Sequence, residues 1–193
     1  IAFEAMAVAT AMPKAVPDLG GMRLYALPFS AYFTTSLFGL VLAGEICDRR
    51  GPRLPLVGGT ASFTAGLLLA GSAQSMVPFV LGRAVQGLGG GIVIVAVYVL
   101  VGRAYDDNLR PRMFAALSAA WVVPSIVGPL IAGFLADQLS WRLVFLGIAP
   151  LAVVPVLIAL PSVIRYDGPP PAGPNVRHGR MWQLQNPAAA RRC

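Results

Sequence analysis

Apolar residues fall into six long stretches separated by short polar connectors, at about 1–16, 26–46, 54–70, 77–101, 113–136 and 143–164. A helix needs ~20 mostly apolar residues to cross ~30 Å of hydrocarbon, and stretches of this length exceed a barrel strand. A helix also satisfies its own backbone hydrogen bonds inside lipid. The pattern therefore predicts an all-α membrane protein with six transmembrane helices. The first stretch is short. The chain opens inside it, without the charged region that leads a signal peptide, so the first span is expected to be N-terminally truncated.

From Tyr166 the pattern breaks. Asp167-Gly168 followed by three prolines cannot continue a helix. Two domains are expected: a six-helix unit over 1–165, and a mostly disordered Pro/Arg-rich linker over 166–193. Within the linker, residues 181–190 could form a short surface helix.

Composition supports a membrane setting. Only 12% of the 193 residues are charged, while 56% are hydrophobic. A soluble domain carries about 25% charged residues. A soluble enzyme or a nucleic-acid-binding domain is thereby excluded, despite the net charge of +7. The charges also set the topology. Arg49, Arg50, Arg53, Arg103, Arg110 and Arg112 sit in connectors 2–3 and 4–5, and five more arginines follow span six. Only Lys14, Arg23 and Arg142 fall on the opposite side, so the bias of eleven to three places the first group in the cytoplasm. Both ends of the complete unit are then cytoplasmic, in a multi-pass protein of the plasma membrane.

Enzyme chemistry finds little support. The one histidine, His178, lies in the tail, and Cys47 and Cys193 stand far apart. No metal, cofactor or disulfide framework is expected. A six-helix intramembrane protease would need a Gly-x-Ser-Gly and a histidine in a span, and neither occurs.

Four constellations carry information. The first is the connector over 44–53, Gly44-Glu45-Ile46-Cys47-Asp48-Arg49-Arg50-Gly51-Pro52-Arg53. Its glycines suit a tight turn, and Asp48 is expected to accept hydrogen bonds from nearby arginines or a helix N-terminus. The second is Arg83-Ala84-Val85-Gln86-Gly87 in span four. An Arg within a span costs ~2.5–3.5 kcal/mol on the insertion scale, so it must face protein or water. Gln86 and Gly87 share its helix face, and Gly87 with Gly91 makes a small-xxx-small packing surface. The third is Gly128-Pro129 with Gly133 in span five, where proline at mid-span is expected to kink the helix. The fourth is Glu4, the only carboxylate deep in a span, with Pro13 nine residues on and then Asp18-Leu19-Gly20. Burial raises a carboxyl pKa toward neutrality, which suits a proton carrier. Smaller features are Trp141-Arg142 opening span six, with Trp141 suited to an interfacial belt, and Phe29, Tyr32 and Phe33, which read as packing.

Together these resemble the major facilitator superfamily. Gly44, Asp48, Arg49, Gly51 and Arg53 match its G-x-x-x-D-R-x-G-R-R/K loop, with Pro52 replacing the first of the two trailing basic residues. Arg83 and Gln86 match its R-x-x-Q-G motif, Gly128, Pro129 and Gly133 partly match its antiporter motif, and Trp141, Arg142 and Phe145 match its W-R-x-x-F pattern. The resemblance covers 1–165 and is closest to the proton-coupled drug-efflux branch. It implies the N-terminal six-helix half of a transporter, built as two inverted three-helix repeats, whose partners are the lipid bilayer, protons, a small-molecule substrate and a missing C-terminal six-helix half. Glu4, Arg83 and Gln86 would couple protons or contact substrate, and the 44–53 loop would gate the cytoplasmic side during H+-coupled export. A non-transporting membrane subunit or regulatory half that pairs with another chain is the alternative.

Overall fold

A computed structural model describes residues 2–165, with side chains from residue 7 onward except at positions 137, 159, 162, 164 and 165. The linker expected over 166–193 lies outside the described residues. Six α-helices follow one another: α1 Ala2–Asp18, α2 Leu27–Arg50, α3 Arg53–Ser72, α4 Met76–Ala104, α5 Arg110–Gln138 and α6 Trp141–Arg165, with a 3-10 turn at Met22–Leu24 between α1 and α2. Each expected span falls inside one helix. The helices run past the apolar stretches because their last turns carry the connector charges. Five of them are long and apolar enough to cross a membrane.

The helix pairings have an internal order. α2 and α3 both pack along α4, α1 packs on α5 and α6, and α3 packs on α6. Exchanging each helix with the one three places along maps α2–α4 onto α5–α1, α3–α4 onto α6–α1, and α2–α3 onto α5–α6. The pairing α3–α6 maps onto itself. Two three-helix repeats produce this arrangement.

α4 is the centre, and glycine puts it there. A Cβ at Gly87 or Gly91 would collide with the backbone carbonyl of Tyr32 or Ser36 on α2, and one at Gly39 with that of Leu88. On the other face, Gly89 and Gly66 bring α3 equally close. In lipid, helices gain little from excluding apolar surface, so close backbone contact of this kind drives association. Hydroxyls add to it. Thr35 donates to the Ala84 carbonyl at 2.7 Å, and Ser62 donates to the next carbonyl, Val85, at 3.0 Å.

Large apolar side chains cover the outside. Phe38 on α2, Ile126, Leu130 and Phe134 on α5, and Leu157 and Ile158 on α6 are all at least 60% exposed. Such continuous apolar surface fits hydrocarbon or another helical unit, not water.

Polar links tie the helix ends. Lys14 of α1 donates to the Ala136 carbonyl near the C-terminus of α5 at 3.1 Å, and Arg103 of α4 donates to the Cys47 carbonyl near the C-terminus of α2 at 3.1 Å. Both place a cation at the negative end of a helix dipole, and the repeat exchange relates the two helix pairs. Trp141 is the first residue of α6. It is 3% exposed and packs edge-on against Phe79 and Phe145. Its indole N–H donates to Asp18 at 2.9 Å, which ties the end of α1 to the start of α6. Trp141→Phe keeps the ring packing and removes that bond. It should cost about 1 kcal/mol, read as a lowered thermal midpoint by size-exclusion stability assay. Asp18→Ala should give a similar loss, and the double variant should lose less than the sum.

Candidate functional site

The most concentrated polar chemistry in the apolar interior lies on α4. Arg83 is 2% exposed and Gln86, one turn further on, is fully buried. The Arg83 guanidinium donates to Gln86 Oε1 at 2.6 Å. Its carbon lies 4.3 Å from the centre of the Tyr32 ring of α2, itself 5% exposed. A desolvated cation–π contact is worth about 2 kcal/mol, and a hydrogen bond to a charged group about 1.5–3 kcal/mol. Either is comparable to the ~2.5–3.5 kcal/mol cost of placing Arg in a span, so the buried charge is supported by its neighbours. Gln86 Nε2 has no hydrogen-bond partner among the described residues. A buried amide donor without a partner costs about 1–3 kcal/mol and is available to a ligand or water.

Tyr32 was not singled out by the sequence as a functional residue. Of the aromatic trio, Phe33 is 59% exposed, Phe29 is half-buried against the core, and Tyr32 alone is buried, on the stripe it shares with Pro28, Gly39, Ala43 and Cys47. The available signal was its hydroxyl. A phenol in an apolar stretch usually finds a polar neighbour, whereas Phe29 and Phe33 need none.

The other candidates are placed as follows. Glu4 lies in the first turn of α1, and its side chain is outside the described residues. The 44–53 segment is mostly helix. Gly44, Asp48 and Arg49 belong to the last turns of α2, and α3 already begins at Arg53. Only Gly51 and Pro52 form the turn. Gly51 has φ 84°, a conformation that favours glycine, and its N–H caps α2 on the Cys47 carbonyl at 3.1 Å. At Gly44 the helix is regular and an added Cβ meets nothing within 4 Å. Asp48 is exposed, and no hydrogen bond or ion pair is seen for it among the described residues, contrary to the expected arginine contact. Asp48 follows Cys47, which faces α4, and so lies about 100° round the helix from that seam. Gly128, Pro129 and Gly133 lie on α5, which is helical throughout, including at Pro124 and Pro129. Gly128 is buried, and a Cβ at Gly133 would rest 3.6 Å from Thr10 of α1. Gly133 thus faces α1, and α5 as a whole barely touches α4, so none of the three is brought to Arg83.

Comparison with known proteins follows the same order of motifs. A family model described as Major Facilitator Superfamily matches residues 1–189. The multidrug transporter protein MdtP of Bacillus subtilis is 33% identical over 81% of this chain and 29% of its own length. Multidrug resistance protein 3 of the same organism is 29% identical over 86% of this chain and 31% of its own. The multidrug efflux pump SdrM of Staphylococcus aureus is 24% identical over 82% and 36%. The chain thus spans about a third of the length of these relatives.

Proposed function

Because the chain belongs to the major facilitator superfamily and is an integral, multi-pass membrane protein, we propose that residues 1–165 form the N-terminal half of a proton-coupled exporter of small, apolar or drug-like molecules. The relatives' names, which specify multidrug transport and efflux, support the substrate class. In this reading the unit pairs with a second six-helix half and rocks against it around a shared site. Residues 166–193 lead to that half, and both ends of the unit face the cytoplasm of a cell bounded by the plasma membrane. The exposed apolar faces of α2 and α5 leave room for such a partner.

The observation that carries the reading is the buried Arg83, stacked on Tyr32 and bonded to Gln86. A supported charge in an apolar bundle marks an ion or substrate pathway. Glu4 exchanges the proton, Arg83 tunes that exchange, and Gln86 offers its amide to substrate. The 44–53 segment gates the inner side, with exposed Asp48 available to the second half. Gly128, Pro129 and Gly133 let α5 and α1 adjust during the cycle.

The test uses the full-length protein in proteoliposomes with an imposed pH gradient. Glu4→Gln should abolish the dependence of efflux on the gradient while substrate binding persists. Transport with unchanged proton dependence would remove Glu4 from coupling.

A further inference from the structure

A cavity of about 330 Å³ opens between α3, α4, α5 and α6. It exists because α4 and α5 scarcely meet, so four helices surround a gap that none fills. Packed interiors rarely hold voids larger than a water molecule, and this one equals roughly eleven waters at ~30 Å³ each. Water is a poor occupant, since each buried water needs two to four polar partners. No charged residue lines the cavity, and its one small hydroxyl, Thr60, already donates to the Leu56 carbonyl at 2.8 Å. Aliphatic side chains form most of the lining, and three aromatic ones stand among them: Phe63 within, and at the rim Tyr98 and Trp121, which are 43% and 40% exposed. Tyr98 is held by stacking on Phe114 at 5.7 Å. Trp121 is followed on α5 by exposed Val122 and Val123, so the rim opens toward apolar surroundings.

None of Arg83, Gln86 and Tyr32 lines the cavity, although Phe63 at its inner end and the Tyr32 hydroxyl both border Gly90. On α4 the cavity begins at Val93, ten residues and about 15 Å beyond Arg83. By the arginine bias it lies in the cytoplasmic half of the bilayer. We propose that it is a second binding site, for uncharged, ring-bearing apolar molecules that partition into the inner leaflet. The uncharged lining selects against ions, and the ring faces of Phe63, Tyr98 and Trp121 offer stacking that a ring uses and a flexible chain does not. The inference concerns binding alone and does not rest on proton coupling or on the role of Glu4.

Trp121 supplies the readout. The full-length protein in lipid nanodiscs would be titrated with 1-bromonaphthalene, whose heavy atom quenches indole fluorescence. Saturable quenching is expected. It should disappear in Trp121→Phe, and its half-saturation should weaken at least tenfold in Ala120→Phe, which fills the cavity from an exposed lining position. A naphthalene sulfonate should not compete. Linear quenching without saturation, or quenching unchanged in either variant, would overturn the site. Nanodiscs of acyl-brominated lipid separate the other apolar source. Quenching there that excess naphthalene fails to relieve would mean acyl chains fill the cavity, and would also overturn the proposal. If Ala120→Phe loses the wild-type elution profile, Leu151→Phe, from a lining side chain 65% exposed, takes its place.

Discussion

Arg83→Lys should reduce transport by ten- to a hundredfold in the full-length protein while leaving its amount in the membrane nearly unchanged. Lysine keeps the charge but not the planar fork that spans Gln86 and the Tyr32 ring. The hydrogen bond alone is worth about 1.5–3 kcal/mol, and each 1.4 kcal/mol lost in the rate-limiting step is a factor of ten. Arg83→Met should transport nothing; it relieves the cost of a charge in the span but leaves buried Gln86 Oε1 without its donor, a loss of about 1–3 kcal/mol. Initial rates of efflux, normalised to membrane content, check both. If Arg83→Lys transports at the wild-type rate, the guanidinium is a packing element and the functional reading of Arg83 fails. Tyr32→Phe separates the ring from the hydroxyl. The ring face persists, so a phenylalanine variant close to wild type would assign the effect to the cation–π contact.

The largest structural effect is expected at Gly91. Gly91→Val sets branched carbons against the Ser36 carbonyl and the Leu40 nitrogen of α2, neither of which can yield without parting α2 from α4. Overpacking a tight site costs about 1–3 kcal/mol where side chains can adjust, and here backbone itself is in the way. Little folded protein should survive detergent extraction, as judged by size-exclusion profile. Gly102, near the end of the same helix, is the control. A Cβ there meets nothing within 4 Å, and Gly102→Ala should be neutral or stabilising by about 0.5–1 kcal/mol. A normal profile for Gly91→Val would show that α2 and α4 are not held by backbone contact.

The helices were legible because the signal behind them is coarse. A run of apolar residues long enough to cross hydrocarbon has few other solutions, and each expected span lies within one helix. Their exact limits were not, since Asp48, Arg49 and Arg103 read as connector charges yet form the last turns of α2 and α4. Arg83 and Gln86 stood out as polar residues in an apolar run, and their spacing on one helix face gave their contact. Tyr32 did not stand out, because its role depends on which face of α2 meets α4, a choice made by Gly39, Gly87 and Gly91 together. The packing of Trp141 was not legible for a related reason. Phe145 lies one turn on, but Phe79 and Asp18, which complete its surroundings, come from two other parts of the chain. The α3–α6 cavity had no sequence signature, since it arises from two helices failing to meet.

α2 carries Tyr32 near one end and Asp48 and Arg49 at the other, some 25 Å apart at ~1.5 Å per residue. Backbone lies against backbone along much of its seam with α4, and Arg103 fastens the far end. The two helices therefore act as one lever arm. A force applied where the chain turns at Gly51 does not dissipate through compliant side chains before it reaches Tyr32. It tilts the whole rod, and Arg83 travels with it. Communication between the Gly51–Pro52 turn and the buried charge then needs no relay of individual contacts, only stiffness.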